Sequence, residues 1–141
     1  MGARHAARQL AVQALYALDL NPETDPAAVL EKAREEAPEG DRDDVYLDAL
    51  VGGAWQRRGE LDAAIGDASR RWKVSRMDRV DVGVLRLTAF ELMFRPDTPV
   101  QVALDEGVEL AKEFGTPDSP SFVNGILDRI AREHRKSDLG A

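Results

Sequence analysis

The chain has 141 residues, 43% of them hydrophobic and 32% charged, a formal net charge of −7 and no cysteine. That length suits a single domain with one packed core, and the missing cysteines exclude disulfides, thiolate nucleophiles and thiolate metal sites. No stretch approaches the roughly 18 consecutive apolar residues of a membrane span, and the N-terminal apolar positions are interrupted by Arg and Gln rather than contiguous, so the expected location is cytoplasmic.

The first helix is expected through Leu18, with Ala7, Leu10, Ala11, Ala14 and Leu18 as its buried stripe. Arg4 and Arg8 stand four residues apart, on one face with His5, Gln9, Gln13 and Tyr16. Asn21-Pro22 ends it. Asp25 then caps a short helix through about Glu36, with Pro26 in the first turn and Val29, Leu30 and Ala33 inward. After a loop at 38–41, a longer helical region opens near Asp43 or Asp44, with Leu47, Leu50, Val51, Ala54, Leu61, Ile65 and Ala68 as core candidates. Gly52, Gly53 and Gly59 allow a bend, a break or a close approach within it.

Trp72 is expected to close that region onto the core. Ser75 to Asp78 resembles a capping box that starts a helix to Arg95, lined by Met77, Val80, Val84, Leu87 and Leu92. Pro96 and Pro99 separate it from a helix over 100–114, with Gly115 as a left-handed cap. Ser119 and Pro120 open the last helix, in which Phe122, Val123, Ile126, Leu127 and Ile130 face inward, and 137–141 is expected to fray. The expectation is all-α: a compact bundle of six or seven helices in two packed three-helix-like halves, about 1–72 and 73–136.

Charge is unevenly spread. Residues 1–18 carry two arginines and no acid, whereas 19–50 hold eleven acids against Lys32, Arg34 and Arg42. A second basic island, 70–86, sets six cations against Asp78 and Asp81. Basic islands in an acidic body favour a small, directed anionic footprint over non-specific coating. Around Trp72, cations could flank a stacked base, but a core tryptophan with snorkelling arginines is the preferred reading.

Catalytic chemistry does not assemble. His5 and His134 sit in terminal segments, expected to be exposed and without convergent partners. Asp105, Glu106, Glu109 and Glu113 recur at helical spacing, which reads as a solvated face with Lys112 as an ion-pair partner. There is no phosphate-cradling Gly-Lys-Ser/Thr loop, no nucleophile elbow and no trio of nucleophile, base and oxyanion donor. The expectation is a non-enzyme with no cofactor and no metal.

Four strings then occur in order: residues 7–16 (ARQLAVQALY), 84–92 (VLRLTAFEL), 103–112 (ALDEGVELAK) and 122–128 (FVNGILD). Together they resemble the NusB family of bacterial transcription antitermination proteins, across essentially the whole chain. The resemblance implies an all-helical protein that binds the single-stranded boxA sequence of nascent ribosomal RNA leaders. It implies a partner, the small-subunit ribosomal protein NusE, and assembly with other Nus factors on RNA polymerase. Its implied RNA residues are Arg4, Arg8 and Gln13, then Asp118 and Phe122 with Ser119 and Asn124 beside them, and Arg86; Tyr16 and Asp81 match positions that contact NusE. Family members often carry a denser N-terminal arginine cluster than Arg4-His5-Ala6-Ala7-Arg8.

Two other classes stand beside this one: a helical protein–protein module, and the NusB-like domain of a ribosomal RNA methyltransferase, whose chemistry needs a cysteine absent here. The resemblance is compatible with a monomer or a homodimer.

Overall fold

A computed structural model describes residues 2–136, which form seven α-helices and one 3-10 turn, with no strand among them. In chain order these are α1 (Ala3–Leu20), α2 (Pro26–Glu36), α3 (Asp44–Gln56), α4 (Arg58–Ser69), the turn Val74–Arg76, α5 (Arg79–Phe94), α6 (Val100–Phe114) and α7 (Ser119–His134). The expected frayed tail, 137–141, lies outside the described residues.

Helix starts follow capping chemistry. Asp25 Oδ1 accepts from the Ala27 amide and Asp43 Oδ1 from the Tyr46 amide, so each satisfies a donor that the first helical turn leaves unpaired. Asp78 accepts from the amides of Val80 and Asp81 and thereby opens α5. Ser75 therefore belongs to the 3-10 turn and not, as expected, to the start of the helix.

Helix α5 is the axis. Every residue from Asp81 to Leu92 is buried, and α1, α3, α4, α6 and α7 all pack against it. The core is one contiguous cluster drawn from all seven helices, including the fully buried Leu15, Leu47, Leu61, Leu85, Leu110 and Leu127. Each such leucine contributes roughly 1.5–3 kcal/mol by leaving water. At the far end, Arg135 donates to the carbonyls of Leu92, Pro96 and Thr98, tying the end of α7 to the α5–α6 connection.

Glycines mark the closest approaches. A Cβ on Gly53 would run into the Phe90 ring, and one on Gly107 would lie 2.7 Å from Leu127 Cδ1. The helical region after Asp44 breaks at Arg57, between α3 and α4, rather than at a glycine. Gly115 is extended, with φ −96° and ψ −163°, and so is not the expected left-handed cap. A Cβ there would collide with the Ser119 side chain, so it is closeness that requires glycine.

Trp72 departs most from expectation. It is 56% exposed, because the chain between α4 and α5 turns outward: Arg70 takes φ +58°, and the Ser69 hydroxyl donates to the Trp72 carbonyl. Phe122 is only half-buried, so it lies at the rim of the core.

Candidate nucleic-acid interface

Helix α1 presents some of its polar stripe and buries the rest. Arg4 stays exposed, its guanidinium 4.2 Å from the Tyr46 ring centre and 3.8 Å from Asp43. Gln13 is exposed and Tyr16 half-buried.

Arg8 overturns the expectation of an open guanidinium. It is 4% exposed. Its Nε and Nη2 donate to the two Glu91 carboxylate oxygens at 2.8 and 2.9 Å, and its Nη1 donates to Glu106 at 3.0 Å. Burial alone would lower its pKa, but the Glu91 hydrogen bond and charge, with Tyr46 and Glu106, hold it above the ordinary arginine value. The Tyr46 hydroxyl donates to the same Glu91, and burial, then Glu91, raise its pKa.

The acidic stripe of α6 is likewise not simply a solvated face. Glu106 and Glu113 bracket His5, 2.9 Å from Nδ1 and 3.2 Å from Nε2, and Gln9 donates to Glu113 at 2.6 Å. Asp105 and Glu109 do stay exposed, with Lys112 3.9 Å from Glu109. His5 is correspondingly half-buried rather than exposed; His134 is exposed, as expected.

Arg86 is buried as well. It donates to both Asp62 oxygens at 2.8 and 2.7 Å and to Asp19 at 2.9 Å, and Arg79 holds Asp19 from the other side at 2.7 Å. Hydrogen bonds from Arg79, outweighing burial, and from Arg86 hold the Asp19 carboxyl below its ordinary value. Arg8 and Arg86 thus tie helices together in this structure and present no cation outward.

The C-terminal candidates divide. Asp81, Asp118, Ser119 and Phe122 line one cleft of about 190 Å³ together with Trp72 and Arg76. Asp118 is exposed there, while Ser119 is buried and its hydroxyl accepts from the Thr116 amide. Asp81 is buried, with Oδ1 lacking any hydrogen-bond partner. Burial raises its pKa, against a hydrogen bond to Ser119, and the nearby Asp78 charge adds to the rise. Asn124 is exposed in a separate depression between α6 and α7.

Sequence reasoning passed over Tyr46, whose ring carries Arg4 and whose hydroxyl joins the Arg8–Glu91 pair. Nothing in its spacing distinguishes it from an ordinary core residue. It also placed Trp72 inside, although the surrounding cations were the available signal. Among the described residues no group of three His, Cys, Asp or Glu side chains is placed to hold a metal ion, and no helix is long and apolar enough to cross a membrane.

Seven helices among the described residues, one of them buried at the centre, with arginine and aromatic side chains at the rim, define a small all-helical class of binding protein. The NusB family model matches residues 5–132. Transcription antitermination protein NusB of Geobacter sulfurreducens is 46% identical over 132 residues, covering 93% of this chain and 95% of that one. T. maritima NusB superposes with a TM-score of 0.84 at 32% identity, covering all of both chains. A crystal structure of antitermination factors NusB and NusE in complex with dsRNA matches with a TM-score of 0.81 at 27% identity, covering 92% of this chain and 96% of that one. The chain belongs to the NusB family of transcription antitermination proteins.

Proposed function

We propose that this protein is a cytoplasmic transcription antitermination factor that binds boxA of nascent ribosomal RNA leaders together with NusE. The observation that carries the reading is similarity, over 92% of this chain, to a NusB crystallised with NusE and dsRNA. In this reading other Nus factors and RNA polymerase complete the assembly, and the protein supplies binding surface only, as a monomer or a homodimer.

Residue roles follow exposure. Arg4 and Gln13 on α1, with Asp118, Phe122 and Asn124 on the C-terminal side, are open to RNA. Arg8, Arg86 and Ser119 are buried, so we assign them the positioning of that surface rather than direct contact. Tyr16, half-buried on α1, faces NusE in this reading, whereas Asp81 is buried and so is assigned the positioning of that surface. Arg4 offers a charge for phosphate, which adds affinity without sequence preference, whereas Phe122 offers a ring to a base.

The test is a fluorescence titration of boxA RNA and a scrambled control, with and without NusE. The expected result is preference for boxA, strengthened by NusE and reduced in Phe122→Asp. Equal affinity for both RNAs, even with NusE present, would overturn the reading.

A further inference from the structure

The loop between α4 and α5 gathers basic side chains that the rest of the protein does not hold. Arg8, Arg34, Arg79 and Arg86 are held by carboxylates. Arg70, Arg71, Lys73 and Arg76 are exposed and enter no ion pair or side-chain hydrogen bond among the described residues. In an acidic protein, four unpaired cations within seven residues mark a place kept for an anion.

In the middle of them stands Trp72, 56% exposed. A single exposed apolar side chain is ordinary by itself; what sets this one apart is an aromatic face standing among four unpaired cations. The loop is set in this outward form, with Arg70 at φ +58°, a conformation that costs energy in any residue with a Cβ and concentrates at functional sites. Trp72 and Phe122 line the same cleft, together with Arg76 and the carboxylates Asp78, Asp81 and Asp118, so the cleft itself suits an uncharged ring and the phosphates fall to the loop cations outside it. At about 190 Å³ this cleft is smaller than the ~300–1,000 Å³ of pockets for drug-sized ligands, and it suits a single planar ring.

We propose that the 70–76 loop is a second RNA-contact element, in which an unpaired base stacks on Trp72 at the mouth of the cleft shared with Phe122 while the loop cations take the flanking phosphates. Aromatic faces flanked by cations are how sequence-tolerant single-strand sites are built. The inference rests on the RNA-binding reading and extends it away from α1, where Arg8 is occupied inside the protein. An acidic peptide would satisfy the cations, but it has no use for two aromatic rings at one cleft.

The experiment titrates the full chain with single-stranded boxA RNA, reading tryptophan fluorescence and affinity at several salt concentrations. Trp55 is buried and Trp72 exposed, so RNA is expected to quench Trp72, and the quench disappears in Trp72→Ala. Trp72→Ala is expected to weaken binding about tenfold or more, with Trp72→Phe recovering most of it. Arg71→Gln and Arg76→Gln are each expected to lower the salt slope by about 1. Circular dichroism confirms that the variants fold. Wild-type affinity in Trp72→Ala, with RNA binding otherwise intact, overturns this inference alone; no RNA binding by the wild type overturns both readings. Equal quenching and competition by poly-glutamate would make the loop an acidic-peptide site and also overturn it.

Discussion

Glu91 on α5 accepts from both Nε and Nη2 of Arg8 on α1, at 2.8 and 2.9 Å, where neither side chain is more than 5% exposed. The fork matches the carboxylate, and the Tyr46 hydroxyl takes a further position on Glu91. This is an internal tie between the first helix and the central one.

Breaking a buried pair by removing one partner strands the other charge and costs about 3–5 kcal/mol. Arg8→Ala is therefore expected to lower the urea midpoint strongly, and Glu91→Ala similarly. The double variant should cost less than the two singles together, because they share one interaction. A midpoint for Arg8→Ala within error of the wild type would remove the structural role of this pair.

Arg4 is expected to behave in the opposite way. Its ion pair with Asp43 is long, 3.8 Å, and exposed, so its loss should change stability by at most about 1 kcal/mol. Arg4→Ala should instead weaken RNA binding to all sequences alike and lower the salt slope by about 1. Titrations at two or more salt concentrations separate the two arginines.

Asp19 and Asp81 should respond to acid with opposite signs. The Asp19 carboxyl is held low by Arg79 and Arg86, so its contribution is present above the ordinary aspartate pKa of about 3.9 and is lost as pH falls through the depressed value. Asp81 is held high by burial, so its ionisation opposes folding and stability falls as pH rises from about 3.9 through the raised value. Asp19→Asn should destabilise at neutral pH, with the difference closing in acid. Asp81→Asn should stabilise at neutral pH and lose that gain in acid. Urea midpoints from about pH 3 to about pH 8 read both curves.

Gly52 and Gly107 are both helical glycines in very different surroundings. Nothing lies within 4 Å of a Cβ built at Gly52, whereas one at Gly107 would meet Leu127 Cδ1 at 2.7 Å and Thr88 Oγ1 at 3.0 Å. Gly52→Ala should gain roughly 0.5–1 kcal/mol from backbone entropy. Gly107→Ala should lose roughly 1–3 kcal/mol, because α5 and α7 must move away from α6. Thermal unfolding of the two variants gives the comparison.

Much of the bundle was legible in the chain, and the reasons are local. Asp25-Pro26 and Asp43 announce helix starts through side-chain oxygen chemistry, and the 3.6-residue spacing of Leu10, Ala14 and Leu18 identifies a buried face without knowledge of what covers it. The candidate site was harder to read. Spacing places Arg4 and Arg8 on one helix face, but only the arrival of Glu91 from a position 83 residues away makes Arg8 internal. Exposure of Trp72 depends on the backbone at Arg70, where a non-glycine residue adopts a positive φ that composition does not announce. Asp81, Asp118, Ser119 and Phe122 lie close in space because α5 and α7 pack together, a fact absent from either string alone.

Five helices clamp α5 along the run from Asp81 to Leu92, and such close packing leaves no hinge about which one lobe could swing without opening the interior. The open end of α1 and the aromatic cleft beside α7 are consequently set at a constant span. A ligand that engaged both would therefore have to match that span, with reach acting as a criterion beside chemistry.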